Sequence, residues 1–288
     1  MPLAPGDSTP GRITTTAGGV GRNIAENLAR LGHSTHLISA VGHDSHGEFL
    51  LNHTRLAGVN TSGCSVLPGV GSGSYLSLVQ PNGSLLAAIN DMGVLSLLTP
   101  TQLARHAIIF ASASAWVVDC NLSEACIEWI MQNAIGKPVF VDGVSSYKCL
   151  RVAPHLARVH TLKINRLEAA TLTNSAVTTA AQALAAAQNL CARGVENVVV
   201  SMGRDGVAWC QRGGHSSGKI PALAVAAINS NGAGDALTAG LVHGVLAGWA
   251  LNQSVRFANA CAALTMTSNS ANHLDLNEAN ALQLLAQQ

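Results

Sequence analysis

Ile24, Leu28 and Leu31 recur three and four residues apart in the stretch NIAENLARLG, which predicts a helix with one buried face that stops at Gly32. Ahead of it, Arg12 to Thr16 is short and β-branched and reads as a strand, and a glycine-rich turn over 17–21 joins the two. His36 to Val41 reads as a second strand, and 46–56, closed by Ala57-Gly58, as a second helix. The pattern changes over 62–92. There SYLSLVQ and LLAAIN flank Pro81-Asn82-Gly83, and Asn-Gly between two apolar runs predicts an antiparallel hairpin. From about residue 100 strands and helices alternate. Ala115 to Asp119, Pro138 to Asp142, His160 to Lys163 and Asn197 to Ser201 are strands; helices run to about 134, between 142 and 160, and over 179–193. A hairpin around 207–220 and helices starting near 233 and 252 complete the chain. Apolar strands separated by helices predict an α/β domain with a mostly parallel sheet covered on both faces.

The 288 residues suffice for one large domain with a small appended layer, and nothing in them calls for a second. Charged residues make up only 11%, against about 25% in an average soluble domain, which excludes disorder. Sixteen basic and fifteen acidic residues leave a formal charge of +1 with no basic run, so a nucleic-acid polymer is not the expected partner. No stretch of about 18 uninterrupted apolar residues exists. The nearest, Gly232 to Leu251, carries Asp235, Thr238 and His243, so no membrane contact is expected. Residues 1–10 lack the apolar run of a signal peptide, and the expected compartment is the cytoplasm. Seven cysteines without a C-x-x-C spacing read as reduced thiols.

The densest chemical signal is Asn229-Ser230-Asn231-Gly232-Ala233-Gly234-Asp235, opening the helix ALTAGLVHGVLAG. A Gly-Ala-Gly turn lets bare backbone N–H groups approach an anion at a helix N-terminus, and Asp235 stands where it can take a proton. The plain alternative is a turn in which Asp235 only stabilises its own helix. Asn165 and Glu168, three apart after a strand, can share one helix face and hold a hydrated Mg²⁺; a helix cap with a solvated Glu explains the spacing as well. Ser201-Met202-Gly203-Arg204-Asp205-Gly206 permits close approach of a nucleotide, and a plain turn predicts the same glycines. No Walker A, G-x-G-x-x-G, G-x-S-x-G or H-E-x-x-H pattern occurs.

Taken in order, Gly18-Gly19-Val20-Gly21-Arg22-Asn23, Asn165 to Glu168, Gly203 to Gly206 and Gly232 to Asp235 resemble the motifs of the PfkB (ribokinase-like) carbohydrate and nucleoside kinases. The resemblance implies a single ribokinase-like three-layer α/β/α domain over 1–288 with a small antiparallel β lid, about 12–16 and 62–92, often a dimer contact. It implies Asp235 as catalytic base and Gly232, Ala233 and Gly234 as anion hole. Longer phrases, GGVGRNIA, SYLSL with AINDM, FVDGVSSYKC and HTLKINRLEAATL, imply pseudouridine, a C-nucleoside, phosphorylated on its 5'-hydroxyl from ATP. Gly18, Gly19 and Asn23 would then hold ribose hydroxyls, and Asn90, Asp91 and Lys148 the base or ribose end. Asn165, Glu168 (through water, on Mg²⁺), Ser201, Gly203, Gly206 and Asn259 would serve the nucleotide. Asn229 stands where the family signature has its first Asp, which leaves K⁺ dependence open. The family also places a strand with an Asp for the sugar ahead of the first helix. Residues 1–10 offer no such strand, so weakened folding and low activity are expected unless another element replaces it.

Overall fold

The computed structural model describes residues 6, 10–80 and 85–287. Helix α1 (Val20–Arg30), strand β1 (His36–Gly42), α2 (Ser45–Leu56) and β2 (Asn60–Leu67) come first, then the hairpin strands β3 (Ser74–Val79) and β4 (Leu85–Asp91). Short helices α3 (Pro100–Ala104) and α4 (Ala107–Ser112) lead into β5 (Trp116–Asp119), α5 (Glu124–Asn133), β6 (Val139–Asp142), β7 (Thr161–Asn165) and α6 (Arg166–Thr173). After these come α7 (Ala180–Ala192), β8 (Asn197–Ser201), β9 (Val207–Gln211), β10 (Ser217–Ile220), α8 (Ala233–Leu246), α9 (Leu251–Met266) and α10 (Glu278–Ala286).

The main sheet has the order β10-β9-β8-β7-β6-β5. Strands β5 to β8 are mutually parallel, and β9 and β10 add antiparallel edges. Alternation sorts the side chains. Val139 and Val141 of β6 join the core with Ile127, Leu162 and Leu190 on one face. Phe140 between them packs on the other face with Ile24, Leu28, Ala236 and Phe257. Both faces are therefore dry, which is why these strands read as unbroken apolar runs. The three layers and mostly parallel sheet match the expected ribokinase-like architecture.

Three local expectations need correcting. Residues 12–16 form no strand: they are exposed, with Ile13 95% accessible, because among the described residues no neighbouring strand offers them hydrogen bonds. The stretch 62–92 is not one antiparallel insert, since β2 pairs parallel with β1 and only β3 and β4 form a hairpin. Its turn at Pro81-Asn82-Gly83 lies outside the described residues. The segment between β6 and β7 is a 3-10 helix, Lys148–Arg158, with Pro154 inside it. Helices α3, α4 and α10 had no clear periodic signal. None of the described helices is long and apolar enough to cross a membrane, and all seven cysteines are free thiols.

Among the described residues β1 pairs only with β2, and β5 only with β6. Their other edges line one cleft of about 2840 Å³, shared with Ile24, Ala25 and Leu28 of α1 and with the β3–β4 hairpin. Ala40 of β1 and Trp116 and Val118 of β5 nonetheless share one core cluster.

Helix α1 carries a buried charge network that steadies this side. Glu26, fully buried, receives Arg22 one turn before it and Arg30 one turn after, the latter with Nη2 at 2.7 Å. Arg22 also donates to Asn272 Oδ1 at 2.9 Å and to Asn23 Oδ1 at 2.7 Å. Glu26→Ala would leave the Arg22 guanidinium buried without its counter-charge, so a loss of about 3–5 kcal/mol is expected in urea unfolding. A loss under about 1 kcal/mol would show that Arg22 simply re-solvates.

Candidate active site

The carboxyl ends of the parallel strands converge with the N-termini of α1 and α8, the usual location for ligands on an open α/β sheet. Gly232 is the N-cap of α8 at φ +76°, and a Cβ there would collide with the Ala271 carbonyl, so the turn admits only glycine. No side chain caps this helix. The Ala233 N–H reaches the Ser230 carbonyl at 3.4 Å, and no side chain covers the rest of this first turn, where the helix dipole favours an anion.

Asp235 does not serve as a cap. Its Oδ2 accepts a hydrogen bond from Asn23 Nδ2 at 2.7 Å, and the residue is 8% exposed. Burial, with Asp142 and Asp119 nearby, pushes its carboxyl up to about 7; the Lys163 ammonium and the Asn23 amide pull the other way. A carboxyl poised near neutrality and bonded to Asn23, a residue that lines the cleft, suits a general base, although Asp235 itself lies behind that lining. Asn23 owes its position to Gly19, the N-cap of α1 at φ +104°, and its amide orientation to Arg22, which occupies Asn23 Oδ1. The Gly21 N–H donates to Asp119 Oδ2 at 2.9 Å and fixes the same helix start to the end of β5.

Gly18, Gly19, Asn23, Asn90, Lys148 and Gly232 line this cleft, so the structure brings these expected residues together, while Asp91, Ala233, Gly234 and Asp235 are not among its lining. Lys148 is half-buried and donates to Asn121 Oδ1 at 2.7 Å. Asp91 turns away, its Oδ1 accepting the N–H of Gly93 in its own loop. Arg22 also lines the cleft, with its guanidinium bonded to Glu26 and Asn272.

A second group lies at the ends of β7 and β8. Asn165 and Glu168 form a capping box on α6: Asn165 Oδ1 accepts from the N–H groups of Leu167 and Glu168, and the Glu168 carboxylate accepts from the Asn165 N–H at 2.8 Å and Nδ2 at 2.6 Å. The cap alternative is thus realised, except that Glu168 is buried rather than solvated. Burial pushes its carboxyl up, against the bonds from Asn165. With both oxygens engaged by Asn165 and the residue buried, the carboxylate offers no direct ligand to an ion. Among the described residues no three His, Cys, Asp or Glu side chains cluster as a metal site. Ser201 Oγ donates to the Ile164 carbonyl at 3.4 Å. Gly203 and Gly206 make the turn after β8, and Asn259 Nδ2 donates to the Pro221 carbonyl at 2.9 Å.

Three residues at the centre escaped the sequence reading. Asp119 and Asp142 end adjacent strands in register, and Lys163 Nζ lies 3.0 Å from Asp142 Oδ2, which also accepts from Thr238 Oγ1 at 2.8 Å. A lysine inside the buried strand TLKIN was the available signal, because lysine is rarely buried without a partner.

The model of the pfkB family carbohydrate kinases matches residues 3–278. The pseudouridine kinase of Escherichia coli K12 is 43% identical over 97% of this chain and 89% of its own length. A carbohydrate kinase from Agrobacterium tumefaciens superposes with a TM-score of 0.83 at 27% identity, covering 99% of this chain and 91% of the other. The ribokinase of Arabidopsis thaliana, complexed with ribose and ATP, superposes with a TM-score of 0.80 at 21% identity over 93% of this chain and 87% of the other, a likeness of fold.

Proposed function

This chain belongs to the pfkB family of carbohydrate kinases, and from that premise we propose that it transfers the γ-phosphoryl group of ATP to the 5'-hydroxyl of pseudouridine. The observation that carries the reading is the buried Asp235 carboxyl beside the uncapped first turn of α8. Asp235 takes the proton of the 5'-hydroxyl as its oxygen attacks the γ-phosphorus in line and the bond to the ADP oxygen breaks. The amides of the Gly232-Ala233-Gly234 turn face the charge that builds on the equatorial oxygens. Mg²⁺, held through water by Glu168, would neutralise charge on the bridging phosphates. Ribose lies toward Gly18, Gly19 and Asn23, the base toward Asn90 and Lys148, and the nucleotide toward Ser201, Gly203, Gly206 and Asn259. The β3–β4 hairpin serves as lid and as a contact between two copies, supported by Leu76, Leu78 and Ile89, which stand exposed on one of its faces.

The test is ATP-dependent formation of the 5'-monophosphate from pseudouridine, with uridine, adenosine and ribose alongside. Pseudouridine is expected to give the highest kcat/KM. Preference for ribose or adenosine would assign the same machinery to another substrate. Nucleoside binding without turnover in a folded chain would mark a binding protein.

A further inference from the structure

Gly234 differs from Gly232: its backbone is ordinary, so the turn does not demand glycine there. What lies against it is Lys163, whose Nζ would stand 2.6 Å from a Cβ at this position. The ammonium of β7 thus abuts the first turn of α8, one residue from Asp235. Asp142 Oδ2 holds it at 3.0 Å, and Thr238 Oγ1 fixes that oxygen at 2.8 Å while also bonding the Gly234 carbonyl at 3.1 Å. This arrangement ties β6, β7 and α8 into one unit.

We propose that Lys163 is a positioning residue of the phosphoryl-transfer site, its ammonium clamped by Asp142 and Thr238 against Gly234 so that one fixed positive charge backs the Asp235 carboxylate and the first turn of α8. The inference rests on the reading of Asp235 as base. The charged groups around Asp235 are Lys163 from β7, Asp142 from β6, Asp119 from β5 and, farther off, Arg22 from α1; Glu168 of α6 faces Lys163. Two carboxylates oppose ionisation of Asp235, and Lys163 offsets them. Burial alone would lower the lysine, but Asp142, Asp235 and Glu168 outweigh it and hold the ammonium charged. The small residue at 234 is then a consequence of where the lysine lies.

The experiment compares the pH dependence of kcat for the wild type, Lys163→Met and Lys163→Arg. In Lys163→Met the acid limb is expected to move up by ~1 pH unit or more, with about a tenfold loss at pH 7 and a nucleoside KM within about twofold of wild type. Lys163→Arg keeps the charge and is expected to retain the wild-type limb. An unmoved limb in Lys163→Met, whatever the drop in kcat, overturns the proposal. Should that variant not fold for want of a partner to Asp142, Asp142→Asn/Lys163→Met is compared with Asp142→Asn alone. The double variant must have the higher limb, and coincident limbs overturn the proposal. If the wild type phosphorylates nothing, the base reading fails separately, and the placement of Lys163 is still read without turnover. The pH at which Asp235→Asn changes thermal stability, measured with and without Lys163→Met, must rise when the lysine is removed.

Discussion

Asp235→Asn is expected to lower kcat by about 10³-fold and, above neutral pH, to raise the stability of the folded chain. The kinetic effect follows from removing a general base whose contribution is typically about 10²–10⁴-fold, in a site whose other elements stay in place. The stability effect follows from linkage. The Asp235 carboxyl is held at about 7 in the folded protein against an ordinary value near ~4, so the folded state favours its protonated form. Its stabilising contribution is complete below the unfolded value and is lost as the pH rises through about 7. A shift of roughly three units caps the penalty at about 4 kcal/mol, and asparagine, which can still accept the Asn23 N–H, removes it. Thermal unfolding should show the two proteins alike at pH 4 and the variant more stable at pH 8, by about 2–4 kcal/mol. Equal stability at pH 8 would mean that the carboxylate is well solvated and that burial does not tune it.

Gly232→Ala should be the most damaging single change in the turn. Alanine at φ +76° costs about 1–2 kcal/mol on backbone grounds alone, and its Cβ meets the rigid Ala271 carbonyl, so the start of α8 must move. Displaced amides no longer face the transferring group, and kcat should fall by about 10²-fold or more with a stability loss of about 2–4 kcal/mol. Gly234→Ala has an ordinary backbone and meets no main-chain atom, only the clamped Lys163 ammonium, which it displaces from Asp142, and should cost clearly less in urea unfolding than Gly232→Ala. Similar losses at both positions would contradict this account, in which one glycine is required by the backbone and the other by a neighbour.

The contrast between these glycines shows how far the sequence could be read. Glycine, alanine, glycine and aspartate ahead of an apolar run marked the start of α8, because that signal is local. Asn165 and Glu168 were ambiguous for the same reason: a capping box and a metal-facing pair share one spacing, and only burial and hydrogen bonding separate them. Asp142 carried no local pattern, and Lys163 only its place inside an apolar strand, which did not name its partner. They meet because β6 and β7 align in parallel, with Asp142 opposite Lys163, a register that long-range packing sets. The strands of the main sheet were legible from their apolar runs. The expectation for residues 12–16 failed because β-branched residues make a strand only where a partner edge accepts them. The direction of β2 was missed since the Asn-Gly signal belongs to the next hairpin alone.

The two facing strand edges have a consequence in amide exchange. In parallel pairing, alternate residues direct both backbone groups to one neighbour. The Trp116 and Cys120 N–H groups bond to the carbonyls of Pro138, just ahead of β6, and Asp142 at its end, so the amides of Val117 and Asp119 point to the cleft. On β1, His43 bonds to Leu67 of β2, which by the same alternation turns the amides of Ile38 and Ala40 toward the cleft. Deuterium should therefore enter these four positions well before their immediate neighbours, giving an every-other-residue protection pattern on two strands that are otherwise buried in the protein. Any chain segment that seats itself between them would erase that alternation, which makes these amides a direct reporter of whether the sheet is continuous in solution.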